Sequence, residues 1–407
     1  MECTVRELTQ RYADLWWESE ASMPPLGPGY TVREQLAREA HLDQFLRVLV
    51  TETRSPPCSA SERQGTQERI LSAVGVFARH ALGLQERHIS LLLGEAFPRA
   101  AIGFAQAARR YDPAVSGSEI FQASRNAWTM NGLQLLLGIP LKLTPAILAY
   151  SMLYPYSDNY LDDPRVPEST KIGFNERFGR RLMGEEIAPG NAHERTLYAL
   201  VQMIEEQYER SRTPRVFESL LAIHRAQERS LHLLRGRVSP YEVDVLGISF
   251  EKGGASVLAD GYLVAGALTP AQEEFAFGWG VFLQLVDDLQ DVRQDATDGL
   301  LTVYSQAAGR WPLDALTHRT FHFGNRVLER LSCFDAPDSE PLKELMRWSA
   351  TRLLIDAAGG SGRLYSRRTL WALEAHSPFR FSFLAKRRRG LARQHAALMR
   401  LVEAFAA

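Results

Sequence analysis

The chain has 407 residues, 48 of them acidic and 47 basic, which leaves a formal net charge of −1. That balance excludes a surface built wholly as a nucleic-acid footprint and a chain dominated by a disordered acidic tail. Apolar residues at 45% and charged residues at 23% are ordinary for a soluble globular chain, and this length buries a large core, so disorder is excluded as the main state.

At the N-terminus, MECTVRELTQRYADLWW carries acids early and has no apolar h-region, so it does not read as a secretory signal. The three cysteines, Cys3, Cys58 and Cys333, lack CxxC spacing and support neither a disulfide framework nor a cysteine zinc site, so a reducing cytoplasm is the expected location. Alternating Val/Ile/Thr runs with NG or DG turns are scarce. Ala, Leu, Glu, Arg and Gln instead recur with a period near 3.6, the mark of a mostly α-helical chain. Punctuation falls at Pro24 to Gly29 and in the polar stretch Thr51 to Gln67. Residues 1–66 thus read as an N-terminal helical extension with a polar loop, and residues 67–407 as one large helical domain.

Between Asn126 and Ser157 the only formal charge is Lys142, and Pro140 and Pro145 interrupt the run. Each half is too short for a bilayer span, which favours helices buried at the centre of a bundle. Thr144-Pro145 has the form of an N-cap followed by Pro at the first helical position, and Pro155 should kink or end the helix it starts. The segment closes in SDNYLDDP, where Asp158 and Asp162 are spaced i, i+4 and Asp163 follows. A second apolar helix opens at Thr269-Pro270-Ala271-Gln272, a capping-box composition, and is expected to run to Gly299. Its last turns carry Asp287, Asp288, Asp291 and Asp295. Further on, Gly359 to Gly362 lacks the GK[ST] of a phosphate loop and reads as a turn. Lys386 to Arg389 reads as a solvated basic run, with acidic lipid as the alternative.

Like charges at i, i+4 destabilise a helix, and acids near its C-terminus oppose the macrodipole. A bound divalent cation removes both objections. Hard oxygen donors select Mg²⁺, which completes its shell with water and substrate phosphate oxygens. Two buried helices that each end in carboxylates can face one cleft and hold several such ions around one diphosphate.

The stretch from Lys252 to Asp295 resembles the second aspartate-rich region of trans-polyprenyl diphosphate synthases and related class I isoprenoid synthases. Lys252, Gln284 and the motif Asp287-Asp288-Leu289-Gln290-Asp291 match the family's upstream Lys, its Gln and its DDxxD, and DNYLDD resembles the first motif with Asn159 at the second Asp. The resemblance implies an all-α fold, a single large antiparallel helical bundle of the isoprenoid (terpenoid) synthase type. It implies metal ligands at Asp158, Asp162, Asp163, Asp287, Asp288, Asp291 and Asp295, with Asp158, Asp162, Asp287 and Asp291 as the catalytic set. Mg²⁺, several ions per site, is the implied cofactor and a prenyl diphosphate the implied substrate. Arg125, Lys252 and Gln284 would contact the diphosphate, and Arg363 and Tyr365 would close over it as Arg/Tyr pairs do in terpene cyclases. Tyr150, Tyr154, Tyr160, Trp279 and Phe282 are the candidate aromatic walls.

Departures from the pattern select a branch. The Gly-Lys-Arg segment of chain-elongating members is replaced by SRNAWTMNG, whose only base is Arg125, and the Arg-Arg pair close behind the first motif is missing. Asp287, Asp291 and Asp295 also fit the spacing of the terpene cyclase metal triad. The expected function is therefore a class I terpene synthase. Its alternatives are a prenyltransferase, including a squalene-synthase-like condensation, and a helical partner subunit that has lost catalysis. The expected partners exclude nucleic acid and an integral membrane span, and leave room for peripheral membrane contact and a homodimer. His318 and His322 are spaced i, i+4, but Arg319 stands where a zinc-protease helix carries Glu, so the pair does not read as a zinc site.

Overall fold

Capping signals start many of the helices, as their residue types dictate. A computed structural model of the protein describes residues 1–54, 57–162, 165–234, 242–388 and 399. Among them are seventeen α-helices and no strand. The first five are α1 (Glu2–Glu18), α2 (Val32–Arg54), α3 (Ala60–Phe77), α4 (Glu86–Leu93) and α5 (Ala96–Tyr111). There follow α6 (Gly117–Leu136), α7 (Pro145–Asp162), α8 (Glu168–Leu182), α9 (Ala192–Gln207) and α10 (Pro214–Ser230). The central pair is α11 (Val245–Ala265) and α12 (Pro270–Gln290), trailed by the short α13 (Val292–Asp298) and α14 (Val303–Ala307). The last three are α15 (Asp314–Glu329), α16 (Glu340–Gly360) and α17 (Arg367–Ala375). No helix among the described residues is long and apolar enough to cross a membrane.

The α11–α12 pair organises the bundle. Gly266 takes the left-handed conformation that ends α11, and residues 266–269 turn the chain back so that α12 runs antiparallel to it. Thr269 then caps α12: its hydroxyl accepts from the Gln272 N–H while the Gln272 side chain accepts from the Thr269 N–H. Around this pair stand α10 and α1 against α11, α15 and α16 against α12, and α6 and α7 on the flank that will form the site. One continuous apolar core joins them, with Phe250, Phe275, Phe277 and Phe282 at its centre.

Five local expectations change. α1 is not an extension: Val5, Leu8, Tyr12, Leu15 and Trp16 are buried in the main core, with the Tyr12 hydroxyl donating to the Glu274 carbonyl at 2.6 Å. The stretch read as a polar loop is largely helical, since α2 continues to Arg54 and Ser59 opens α3 with a capping box. α7 runs through Pro155 to Asp162, so one lost hydrogen bond does not end a helix whose preceding turns are held in the core. Gly359 and Gly360 lie in α16 rather than in a turn: a Cβ on Gly359 would come within 2.5 Å of the Phe381 ring, so the glycine serves close packing. Finally, the acidic helix is interrupted at Asp291, which has φ −97° and ψ 8°, and resumes as α13 before the left-handed Gly299.

Candidate functional site

A pocket of about 420 Å³ opens between α6, α7, α8, α10, α11 and α12, with Leu353 of α16 at its edge. It exists in this form because α11 and α12 approach closely. A Cβ on Gly280 would stand 2.1 Å from the Gly253 carbonyl oxygen, and one on Gly253 would stand 2.6 Å from that of Gly280. Only glycine permits such a backbone contact at both positions. The contact brings Lys252 of α11 beside Gln284 and Asp287 of α12, and Arg125 of α6 completes the group.

Four residues singled out in the sequence therefore line one pocket: Arg125, Lys252, Gln284 and Asp287. Arg125 Nη2 lies 3.8 Å from Asp287 Oδ1, and both side chains are more than half exposed. Burial among the surrounding helices raises the Asp287 carboxyl above its ordinary range, and the nearby Asp291 adds to this; Arg125 and Lys252 oppose it. Asp288 turns the other way, into the protein. Its Oδ1 accepts from Gln284 Nε2 at 2.7 Å, and its buried Oδ2 has no partner. Burial pushes its pKa up to about 7, partly offset by the Gln284 amide and reinforced by Asp295. Asp295 is itself buried and pushed up to about 7, by burial and then by Asp291 and Asp287.

These positions bear directly on metal binding. Among the described residues no group of three or more His, Cys, Asp and Glu side chains could hold a metal ion. The second motif alone does not assemble the expected cluster, because Asp288 is drawn inward by Gln284 and the interruption at Asp291 puts Asp295 on a separate helix. Asp291 is exposed at that junction. The carboxylate oxygens of Asp287, which face the pocket, are of the donor type that suits Mg²⁺, whereas the orphaned Oδ2 of Asp288 is buried away from the pocket. From the first motif, α7 contributes Tyr150, Leu153 and Ser157 to the pocket, and Asp158 follows directly. The side chains of Asp158, Asp162 and Tyr154, and the whole of Asp163, lie outside the described residues, while Asn159 is exposed.

The walls differ from expectation. Tyr150 lines the pocket, but Trp279 and Phe282 stack on one another in the core at 5.3 Å between ring centroids, and Tyr160 packs on Phe174 and His193. The lining is mixed: Leu182, Leu220, Ile223, Val257, Leu283 and Val286 form its aliphatic part, Phe178 adds a ring, and polar side chains such as Gln122, Thr129, Gln227 and Ser256 lie between them. Arg363 is exposed, and Tyr365 is buried with its hydroxyl 2.7 Å from that of Thr317; neither lines the pocket. His318 and His322 face the carbonyls of Ala21 and Ser22, at 3.2 and 3.1 Å, and so tie the chain after α1 to α15. The basic C-terminal run is engaged elsewhere: Arg387 pairs with Asp43 of α2, and Arg388 donates to the Asp356 carbonyl.

Three lining residues carried no signal in the sequence. Asp260 is fully buried on α11 and accepts from Asn126 Nδ2 at 3.1 Å. His224 of α10 is buried, and burial pushes its pKa down to about 4, which leaves the ring neutral at pH 7. None of them falls in a motif that singled it out. No protein-family model matches the chain, and no curated protein and no solved structure matches it either.

Proposed function

We propose that the protein is a class I terpene synthase, which ionises one prenyl diphosphate and rearranges the resulting carbocation in the α6–α12 pocket. The observation that carries this reading is the convergence of Arg125, Lys252, Gln284 and Asp287, from three helices, on one pocket whose remaining walls include an aliphatic patch from Leu182, Leu220, Ile223, Val257, Leu283 and Val286. An anionic head and a hydrocarbon body are the complement of such a surface. Arg125 offers a planar fork to phosphate oxygens and Lys252 a compact charge. Gln284 lines the pocket while its amide donates to Asp288 Oδ1 and holds that carboxyl inward, which leaves Asp287 as the carboxylate of the pair that faces the pocket. The aliphatic side chains exclude water, which would otherwise quench a carbocation at once.

Asp287, with the aspartates of DNYLDD, would hold Mg²⁺, which supplies charge neutralisation for a departing diphosphate. The single-substrate form is favoured because Arg125 and Lys252 are the only Lys or Arg among the described lining residues, too few for two diphosphates. Incubation of the purified chain with C10 to C35 prenyl diphosphates and Mg²⁺, with and without isopentenyl diphosphate, tests the proposal. Hydrocarbon or alcohol products from one substrate support it. Products that require isopentenyl diphosphate make the protein a prenyltransferase, and no turnover at any chain length leaves it a non-catalytic helical subunit.

A further inference from the structure

Asp260 has no part in holding or ionising a diphosphate, yet it lines the same pocket. It follows Lys252 by eight residues on α11, which places it about 12 Å further along the helix axis at ~1.5 Å per residue. Arg125 and Asp287 are largely exposed, whereas Asp260 is fully buried. Its chain neighbours Val257, Leu258, Ala259 and Gly261 are apolar or small. Its Oδ1 accepts from Asn126 Nδ2, which also lies 3.5 Å from the Ser151 hydroxyl, and its Oδ2 has no hydrogen-bond partner. A buried carboxyl oxygen without a partner is costly to keep. It is also a good proton acceptor.

We propose that Asp260 is the base that ends the carbocation reaction in this pocket, held in place by Asn126. The inference rests on the terpene synthase reading above. In the step, a C–H bond beside the cationic carbon breaks and its electron pair becomes the C=C bond of an olefin. The proton passes to Asp260 Oδ2, which turns the carboxylate into the neutral acid and discharges the substrate. The acid returns its proton to solvent when the pocket exchanges product for substrate. Burial makes the Asp260 carboxylate a strong base once it is formed, and the hydrogen bond from Asn126 opposes this only in part. Distance from Lys252 and Asp287 separates this step from departure of the diphosphate.

The experiment uses the full-length chain with the C10 to C35 prenyl diphosphates and Mg²⁺, and records diphosphate release and olefin formation separately for wild type and Asp260→Asn. Olefin formation should fall by about 100-fold, the lower end of what a positioned base contributes, while diphosphate release stays within a factor of a few. An unchanged olefin yield in the variant, or a wild type that makes no olefin while releasing diphosphate, overturns the assignment and leaves the synthase reading standing. Absence of diphosphate release from wild type overturns both. If Asp260→Asn does not fold by circular dichroism, Asp260→Glu replaces it. That variant moves the carboxyl by one methylene, so a catalytic base requires a changed olefin distribution and an inert buried acid leaves it as in wild type.

Discussion

Asp287 and Asp288 adjoin in sequence but occupy opposite environments, and their roles divide accordingly. Asp287 faces the pocket beside Arg125, so Asp287→Ala should lower diphosphate release by about 100-fold or more, the scale of losing one electrostatic contact to a developing charge. Steady-state kinetics with circular dichroism as a fold control checks this; near-normal release removes Asp287 from the site. Asp288 is set apart by burial, which raises its pKa to about 7. An unfolded aspartate titrates near 4, so between these values the folded chain binds the extra proton, and stability from this group falls as pH rises towards 7. Asp288→Asn removes that dependence. The melting temperature of the variant relative to wild type, without added metal, should therefore climb between about pH 4 and pH 7 and level off above that. A difference that stays flat or shrinks contradicts the buried, uncompensated carboxyl. The comparison with wild type cancels His224, whose depressed pKa acts in the opposite sense at acid pH.

At the scale of elements, the α11–α12 contact and the docking of α1 determine whether the pocket exists at all. Gly280→Ala forces a Cβ to within 2.1 Å of the Gly253 carbonyl oxygen, where the obstacle is backbone and cannot rotate away. The expected cost is about 1–3 kcal/mol with accompanying loss of activity, read from urea denaturation and turnover together. Trp16 makes edge contacts with Phe250 and Phe323, so Trp16→Ala should cost about 3–5 kcal/mol, a value that a mere extension would not show. Helix starts were legible wherever side-chain capping decided them: Thr144 accepts from the Ile147 N–H and Thr269 from the Gln272 N–H, as their residue types foretell. Helix ends and partners were not. Pro155, Gly359 and Gly360 are local stop signals that tertiary packing overrides, and the periodicity of α1 shows an apolar face without saying what covers it.

For the molecule as a whole, the sequence pattern identified an all-helical chain, and the resemblance to class I isoprenoid synthases singled out four residues that line one pocket. It could not say which aromatic rings would face inward, so Trp279 and Phe282 belong to the core, and lone polar residues such as Asp260 went unnoticed. Charge distribution needed the fold as well. The seven Lys and Arg between Glu374 and Glu403 include Arg380, which pairs with Glu39 of α2 at 2.6 Å, and Arg387, which pairs with Asp43, so part of this basic segment binds the N-terminal helices. Among the described residues the Lys, Arg and Asp that line the pocket are Arg125, Lys252, Asp287 and the buried Asp260, and on them the proposed chemistry depends. The most direct test is the rate of Mg²⁺-dependent diphosphate release from a single prenyl diphosphate, for wild type and Lys252→Ala. The account predicts release by wild type without isopentenyl diphosphate, and its loss by about 100-fold in the variant; no release from any prenyl diphosphate, or equal release by both proteins, contradicts it.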